Sequence, residues 1–271
     1  MKIDGKTIAQ EILDGLRLQV EELKKEGITP TLAIILIGSD EASQSYIKQK
    51  QLKGEEIGAD VKVFHFDTTS EKDLLSLIEK LNKDPKIHGM IVQRPIPEDF
   101  DRNKVSEAVS PEKDVDGFNS ESKIDAPVAE AVMQILQEIG ENDLAKKRIA
   151  VIGKGETAGG PIIKLLQETG ARPEVIDRET PDPDEIIKNA EIVISAVGKE
   201  GIVNPEILGP NQVLVGLGLY MGEDGKLHGD YKDEEVEGRV KYFTPKLGGV
   251  GPVNVAFLMH NLVEAAKNQT K

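Results

Sequence analysis

The sequence predicts two α/β domains in series, each built on a parallel sheet. Three features carry that reading. Several apolar runs are too continuous for strands wetted on one face. Helical repeats are interleaved between them, and one glycine-bearing strand-to-helix turn opens a second series past residue 120. In chain order, residues 7–26 place Ile8, Ile12, Leu16, Val20 and Leu23 at helical spacing and stop at Gly27. TLAIILIG at 31–38 reads as a strand buried on both faces, and Ser39 and Asp40 offer N-cap chemistry for a helix over 41–57 that closes near Gly58. DVKVFHF at 60–66 alternates as a strand, 71–82 reads as a helix, and HGMIVQ at 88–93 as a second buried strand. This β-α-β-α-β order requires a parallel sheet.

The second series holds a helix at 127–139, strand RIAVIG at 148–153, a glycine turn and a helix at 157–169. Strands at 173–177, 190–198 and 211–218 follow. A long amphipathic helix from about 251 comes after this sheet and is expected to return to the first domain. The expected domains are therefore 1–120 completed by the C-terminal helix 251–271, and 121–250.

With 271 residues the chain is long enough for two cores. A net charge of −14 with no basic run speaks against nucleic acid as a main partner, because phosphate contacts need clustered cations. There is no cysteine and no tryptophan. Disulfides, thiolate catalysis and stacking platforms for single strands are thereby set aside. The N-terminus lacks an apolar signal core and no apolar run reaches membrane-spanning length, so a cytoplasmic enzyme or binding protein is expected, with no membrane partner. His65, His88, His228 and His260 form no metal-spaced set, and no metal is expected.

Tyr46 and Lys50 stand one helical turn apart, so a phenol and an ammonium share one face. The pair precedes the nucleotide-type glycine loop, which separates proton chemistry from cofactor delivery. That loop, Gly153-Lys154-Gly155-Glu156-Thr157-Ala158, satisfies G-x-G-x-x-A between a predicted strand and helix. Its glycines let backbone approach a pyrophosphate, and the helix N-terminus favours the anion. Asp177 at the end of the next strand suits a ribose 2′-hydroxyl and NAD. Arg178 and Lys154 suit a 2′-phosphate and NADP, and the residues alone present both answers.

Gln93 leads into Arg94-Pro95-Ile96-Pro97, where two prolines fix an extended loop at the carboxyl end of a strand. Asp114 and Asp116, two apart in an acidic loop broken by Gly117, suit a metal, a nitrogen-rich ring, or simple turn closure. Gly248, Gly249 and Gly251 imply close backbone approach, unusual φ angles or a hinge.

Taken together, SQSYIKQK, GMIVQRPIP, PEKDVDGF, the glycine turn, AEIVISAVGK and TPKLGGVGP resemble, in order and nearly end to end, the bifunctional methylenetetrahydrofolate dehydrogenase/methenyltetrahydrofolate cyclohydrolase family. The resemblance implies two three-layer α/β domains, the second a Rossmann-type doubly wound parallel sheet. It also implies oxidation of 5,10-methylene-tetrahydrofolate with NADP or NAD, and hydrolysis of the methenyl product to 10-formyl-tetrahydrofolate. Lys50 would transfer protons, Tyr46 would line the pterin, Gln93 would bond the lysine, and Asp116 would hold the pterin N–H groups. Pro95, Gly249, Val250, Gly251 and Pro252 would border the folate. The residues of the glycine turn, with Asp177, Arg178, Ala196, Val197 and Gly198, would hold the cofactor, and a homodimer would form through the cofactor domains.

The sequence departs from the family in places. Its G-R-S turn is Gly153-Lys154-Gly155, its His-Ser pair is Asp177-Arg178, and its P-C-T-P is Ala126-Pro127-Val128-Ala129. Lys246-Leu247 replaces Val-Pro, and Asn254 replaces a threonine. The competing readings are a two-domain dehydrogenase of the shikimate type, a monofunctional folate dehydrogenase, and a nucleotide sensor without turnover.

Overall fold

The computed structural model describes residues 1–269, and only the backbone at 41 and 42. The chain divides into two compact units: residues 10–127 with the chain from Val255 onward, and residues 1–9 with 128–254.

The first unit carries α1 (Gly5–Lys25) from Gln10 onward, β1 (Thr31–Ile37), α2 (Glu41–Ile57), β2 (Asp60–Phe66), α3 (Glu71–Asn82), β3 (Gly89–Val92) and α4 (Arg102–Ala108). Its sheet is parallel in the order β2-β1-β3. Every residue of β1 is buried, as its unbroken apolar run requires of a central strand, whereas edge strand β2 is partly wet. One face of the sheet packs Ala33, Ile35, Met90 and Val92 on Leu74, Ile78 and Leu81 of α3.

Local chemistry sets the ends of α2. Asp40 accepts from the Ser43 amide at 2.7 Å, and Gly58 closes the helix at φ +82°. Gly54 lets α2 lie so close to β2 that a Cβ there would collide with the Val61 side chain. Beyond β3 the chain is not extended as the two prolines suggested. It bends at Arg94–Pro95, whose peptide bond is cis, because Ile96 and Phe100 turn inward to join the core. Helix α4, absent from the sequence reading, is short and polar but capped by Asp101, which accepts from the Asn103 and Lys104 amides.

The second unit contains α5 (Pro127–Glu138), β4 (Ile149–Ile152), α6 (Gly159–Glu168), β5 (Glu174–Ile176), α7 (Pro183–Asn189), β6 (Ile192–Ser195), β7 (Val213–Gly216), β8 (Leu219–Met221), β9 (Leu227–Gly229), α8 (Asp233–Val236) and β10 (Tyr242–Phe243). Five strands run parallel in the order β10-β7-β6-β4-β5, and β8 and β9 form a separate antiparallel hairpin. From β4 the chain winds outward to β5, then crosses to β6 on the other side, a doubly wound topology. The first residues of the chain continue the sheet, with Ile3 N donating to Phe243 O at 2.8 Å.

Helix α6 begins two residues later than its sequence pattern suggests, because residues 155–158 form a turn closed by Gly160 N on Gly155 O at 2.9 Å. Likewise 190–198 shortens to β6, since the loop after Ser195 is held by a side chain rather than by a strand. The hairpin, α7, α8 and β10 are each too short to show a hydrophobic period.

The last helix, α9 (Val250–Gln269), runs from the second unit into the first. There Asn261 donates to Val115 O and Asp125 O, Lys267 donates to Gln19, and Gln269 donates to His88 O at 2.7 Å. Residues 270 and 271, which the sequence reading assigned to this helix, lie outside the described residues.

Candidate active site

In the first unit the topology switches between β1 and β3, and Gln93 sits there as the first residue after β3, tied by its amide to Ile35 O at 2.8 Å. Lys50, on the buried side of α2 and only 9% exposed, donates from Nζ to Gln93 Oε1 at 2.9 Å. Gln93 Nε2 donates to Arg94 O at 2.9 Å, which fixes the amide so that its oxygen faces the lysine. Burial pushes the Lys50 ammonium below its ordinary pKa, and the nearby Asp116 carboxylate pulls it partly back. A neutral amide partner accepts the amine's hydrogen bond without restoring its charge.

Tyr46 lies one turn earlier, 40% exposed, its phenol raised by the protein packed around it. Pro95 is exposed on the bend beside Gln93. Arg94 stacks over Phe118 at 3.7 Å and donates to Ser106 Oγ at 2.8 Å, tying that bend to the acidic loop.

The acidic loop splits the labour of its two carboxylates. Asp114 is buried and closes the turn, accepting from Gly117 N at 3.1 Å and Asn119 N at 2.7 Å. Burial raises its pKa to about 6, helped by repulsion from Asp116 and opposed by these amides. Asp116, half-buried, is left within electrostatic reach of Lys50. Lys113 was given no role by its sequence, yet it is buried and donates to the carbonyls of Leu81, Asn82 and Asp84 at the end of α3. Met90 N bonds Lys113 O at 2.7 Å, so the loop is docked along β3.

The switch point of the second unit lies between β4 and β6. Gly153 adopts φ +91°, and a Cβ there would stand 2.8 Å from Ala196 O, so only glycine fits where the two strand ends meet. A Cβ on Gly159 would collide with Gly153 O, whereas one on Gly155 would meet only open space. Residues 154–157, including Glu156 and Thr157, are exposed; Ala158 is half-buried and precedes α6 with no side chain capping the helix. The N-terminus of a ten-residue helix that no side chain caps, reached over a glycine turn, suits the pyrophosphate of a dinucleotide. Asp177 follows β5 beside this turn, paired with Lys154 at 2.7 Å, and Arg178 is exposed.

Ala196, Val197 and Gly198 follow β6, and here the sequence reading missed a residue. Asp230, 1% exposed, accepts from Ser195 Oγ at 2.6 Å and from the amides of Val197, Gly198 and Lys199 at 3.2, 2.7 and 2.9 Å. A lone Asp following the β8–β9 hairpin gave no signal beyond its neighbours. Gly249 makes a close approach, since a Cβ there would meet Pro245 O, and Gly248 takes φ +83°. Val250 is buried, Gly251 is open to solvent and Pro252 sits in the first turn of α9, where a missing amide costs nothing. These four residues and the cofactor residues belong to the second unit, the lysine cluster to the first.

Comparison with known proteins gives a consistent assignment over nearly the whole length. Residues 3–116 match the family described as tetrahydrofolate dehydrogenase/cyclohydrolase, catalytic domain, and residues 126–270 match the corresponding NAD(P)-binding domain. The bifunctional protein FolD of Macrococcus caseolyticus is 39% identical, covering 98% of this chain and 97% of its own. The crystal structure of the FolD enzyme of Campylobacter jejuni superposes with a TM-score of 0.94 at 33% identity, covering 99% of each chain. That of the Trypanosoma brucei enzyme, complexed with NADP and an inhibitor, gives 0.92 at 29% identity, covering 100% of this chain and 98% of its own. With both domain descriptions matched in order, the chain belongs to the tetrahydrofolate dehydrogenase/cyclohydrolase family.

Proposed function

We propose that this chain oxidises 5,10-methylene-tetrahydrofolate to 5,10-methenyl-tetrahydrofolate with NADP, or with NAD, and hydrolyses that product to 10-formyl-tetrahydrofolate. The supporting observation is a buried lysine that donates to a neutral amide, Lys50 on Gln93 at 2.9 Å. In the first reaction a hydride leaves the methylene carbon and a cationic methenyl group remains. The nicotinamide cofactor, when bound, supplies the hydride acceptor. Water then adds to the methenyl carbon. One carbon–nitrogen bond breaks, that nitrogen keeps one of the water protons, and the other is released.

Lys50 serves the second reaction as the group that takes a proton from the attacking water and returns one to the leaving nitrogen. The cationic substrate opposes a protonated lysine beside it, in the same direction as burial. We assign Tyr46 and Pro95 to the walls of the pterin site, and Asp116 to the pterin N–H groups. Gly249, Val250, Gly251 and Pro252 border the folate. The turn from Gly153 to Ala158 takes the pyrophosphate, Asp177 and Arg178 the adenosine ribose, and Ala196 to Gly198 the far side of the dinucleotide. The working division is 1–120 with 251–271 for folate and 121–250 for the cofactor.

A cytoplasmic homodimer joined through the cofactor domains, with no nucleic-acid partner, completes the proposal; sedimentation at twice 29.6 kDa is expected, and a monomer at micromolar concentration would refute the dimer. No helix among the described residues is long and apolar enough to cross a membrane. The enzymatic proposal is tested by mixing the protein with oxidised cofactor and 5,10-methylene-tetrahydrofolate, and separately with the methenyl compound alone. Reduced-cofactor absorbance that depends on the folate, and loss of the methenyl chromophore faster than in buffer, are expected. Oxidation of a small hydroxy acid with folate inert would overturn it.

A further inference from the structure

Asp177 departs from the family pattern at a place where the second unit, on the reading above, seats the adenosine ribose. Its position follows from strand register. Gly153 N donates to Ile176 O at 2.9 Å, so the first residue past β5 stands beside the glycine turn that ends β4. In doubly wound sheets an acid at that place accepts from a ribose 2′-hydroxyl.

The carboxylate is also rigidly aimed. Oδ1 accepts from Glu179 N at 3.0 Å and Thr180 Oγ1 at 3.1 Å, and the Asp177 amide donates back to Thr180 Oγ1 at 2.9 Å. Oδ2 takes Lys154 Nζ at 2.7 Å. Lys154 first, then these turn contacts, hold the group ionised with a pKa of about 2. Two cations flank it: Lys154, whose side chain is 65% exposed and therefore able to swing away, and Arg178, exposed on the next residue.

We infer that Asp177 is the residue that sets the balance between the two nicotinamide dinucleotides, its fixed carboxylate accepting from the 2′-hydroxyl of NAD and repelling the 2′-phosphate of NADP. The inference rests on the proposed dinucleotide site. A 2′-phosphate must draw Lys154 from its partner and engage Arg178 while tolerating a fixed negative charge beside it. A 2′-hydroxyl meets an acceptor already in place. Both cofactors are therefore admitted, and Asp177 narrows the preference for the phosphorylated one.

The test is calorimetric titration of NAD⁺ and NADP⁺ into the wild-type chain and three variants, without folate. Asp177→Asn keeps an oxygen for Glu179 N and Thr180 but removes the charge, and it is expected to tighten NADP⁺ by about tenfold while leaving NAD⁺ within about threefold. Asp177→Ser, which also removes the acceptor, is expected to tighten NADP⁺ similarly and weaken NAD⁺ by about tenfold. Arg178→Gln is expected to weaken NADP⁺ alone. The gain in the Asn variant should shrink at high salt, a dependence that a merely structural effect on the turn would not give. An unchanged NAD⁺/NADP⁺ ratio in both Asp177 variants overturns the inference and leaves the proposed function standing. Failure of the wild type to bind either dinucleotide overturns the site and the inference together.

Discussion

On the proposed function, Lys50 and Gln93 form the smallest unit on which the chemistry turns. A lysine buried beside an acid would stay charged, whereas one buried beside an amide can give up its proton. Gln93→Glu puts a carboxylate where the amide oxygen now accepts the Lys50 bond at 2.9 Å, and this raises the lysine's affinity for its proton. Hydrolysis of the methenyl substrate should rise with pH as Lys50 deprotonates, so in the variant that limb moves to higher pH and the rate at pH 7 falls about tenfold. A pH–rate profile checks it; an unmoved limb would show that Lys50 is not the titrating group. At this scale spacing and motif together singled out Tyr46, Lys50 and Gln93 as candidates, and the structure brings Lys50 onto Gln93. The sequence was silent on Lys113 and Asp230, and left Asp114 open between metal, ring and turn closure. Their roles come from partners distant in sequence or from loop carbonyls and amides whose directions no spacing encodes.

Elements were legible in proportion to their length. The fully buried β1 and the amphipathic α3 have a clear pattern, and Asp40 and Gly58 mark the ends of α2. Seven-residue α4 and α7 have too few turns for a period, and their caps alone do not announce them. The placement of α2 depends on Gly54, where a β-carbon would strike Val61 of β2, a branched side chain held in the sheet. Gly54→Ala should cost about 1–3 kcal/mol in unfolding free energy and lower the hydrolase rate by shifting Lys50 away from Gln93. Urea unfolding with parallel rate measurements would check both. An unaltered midpoint would mean that the helix and strand can part without consequence.

For the molecule as a whole, both units follow one logic, with candidate site residues such as Gln93 and Gly153 at the carboxyl ends of parallel strands where the strand order reverses. That logic was legible in the β-α-β rhythm. The hairpin and the sheet-extending N-terminal residues were not, because short edge pairings carry no pattern of their own. Global stability has a readable pH dependence at the junction of β1, β3 and α9. His88 is buried, its Nδ1 accepts from Thr31 N at 3.1 Å and its carbonyl receives Gln269. Burial, then the Lys113 charge, lower its pKa below 6.5. Below that value the unfolded chain binds a proton that the folded one resists, so this contribution is present above pH 6.5 and lost as pH falls through the folded value. His88→Asn, which keeps an acceptor for Thr31, should show a smaller fall in melting temperature between pH 7 and pH 5 than the wild type. An equal or steeper fall would exclude His88 as a source of acid sensitivity.

Substituting Lys50 by methionine keeps an unbranched apolar stem of nearly the same length while removing the proton carrier, and so bears most directly on the proposed chemistry. Measured on the same preparation, methenyl hydrolysis should fall by about 10²–10⁴-fold while dinucleotide affinity stays within about twofold of wild type. Hydrolysis at the wild-type rate in that variant, with the fold intact, would contradict the account.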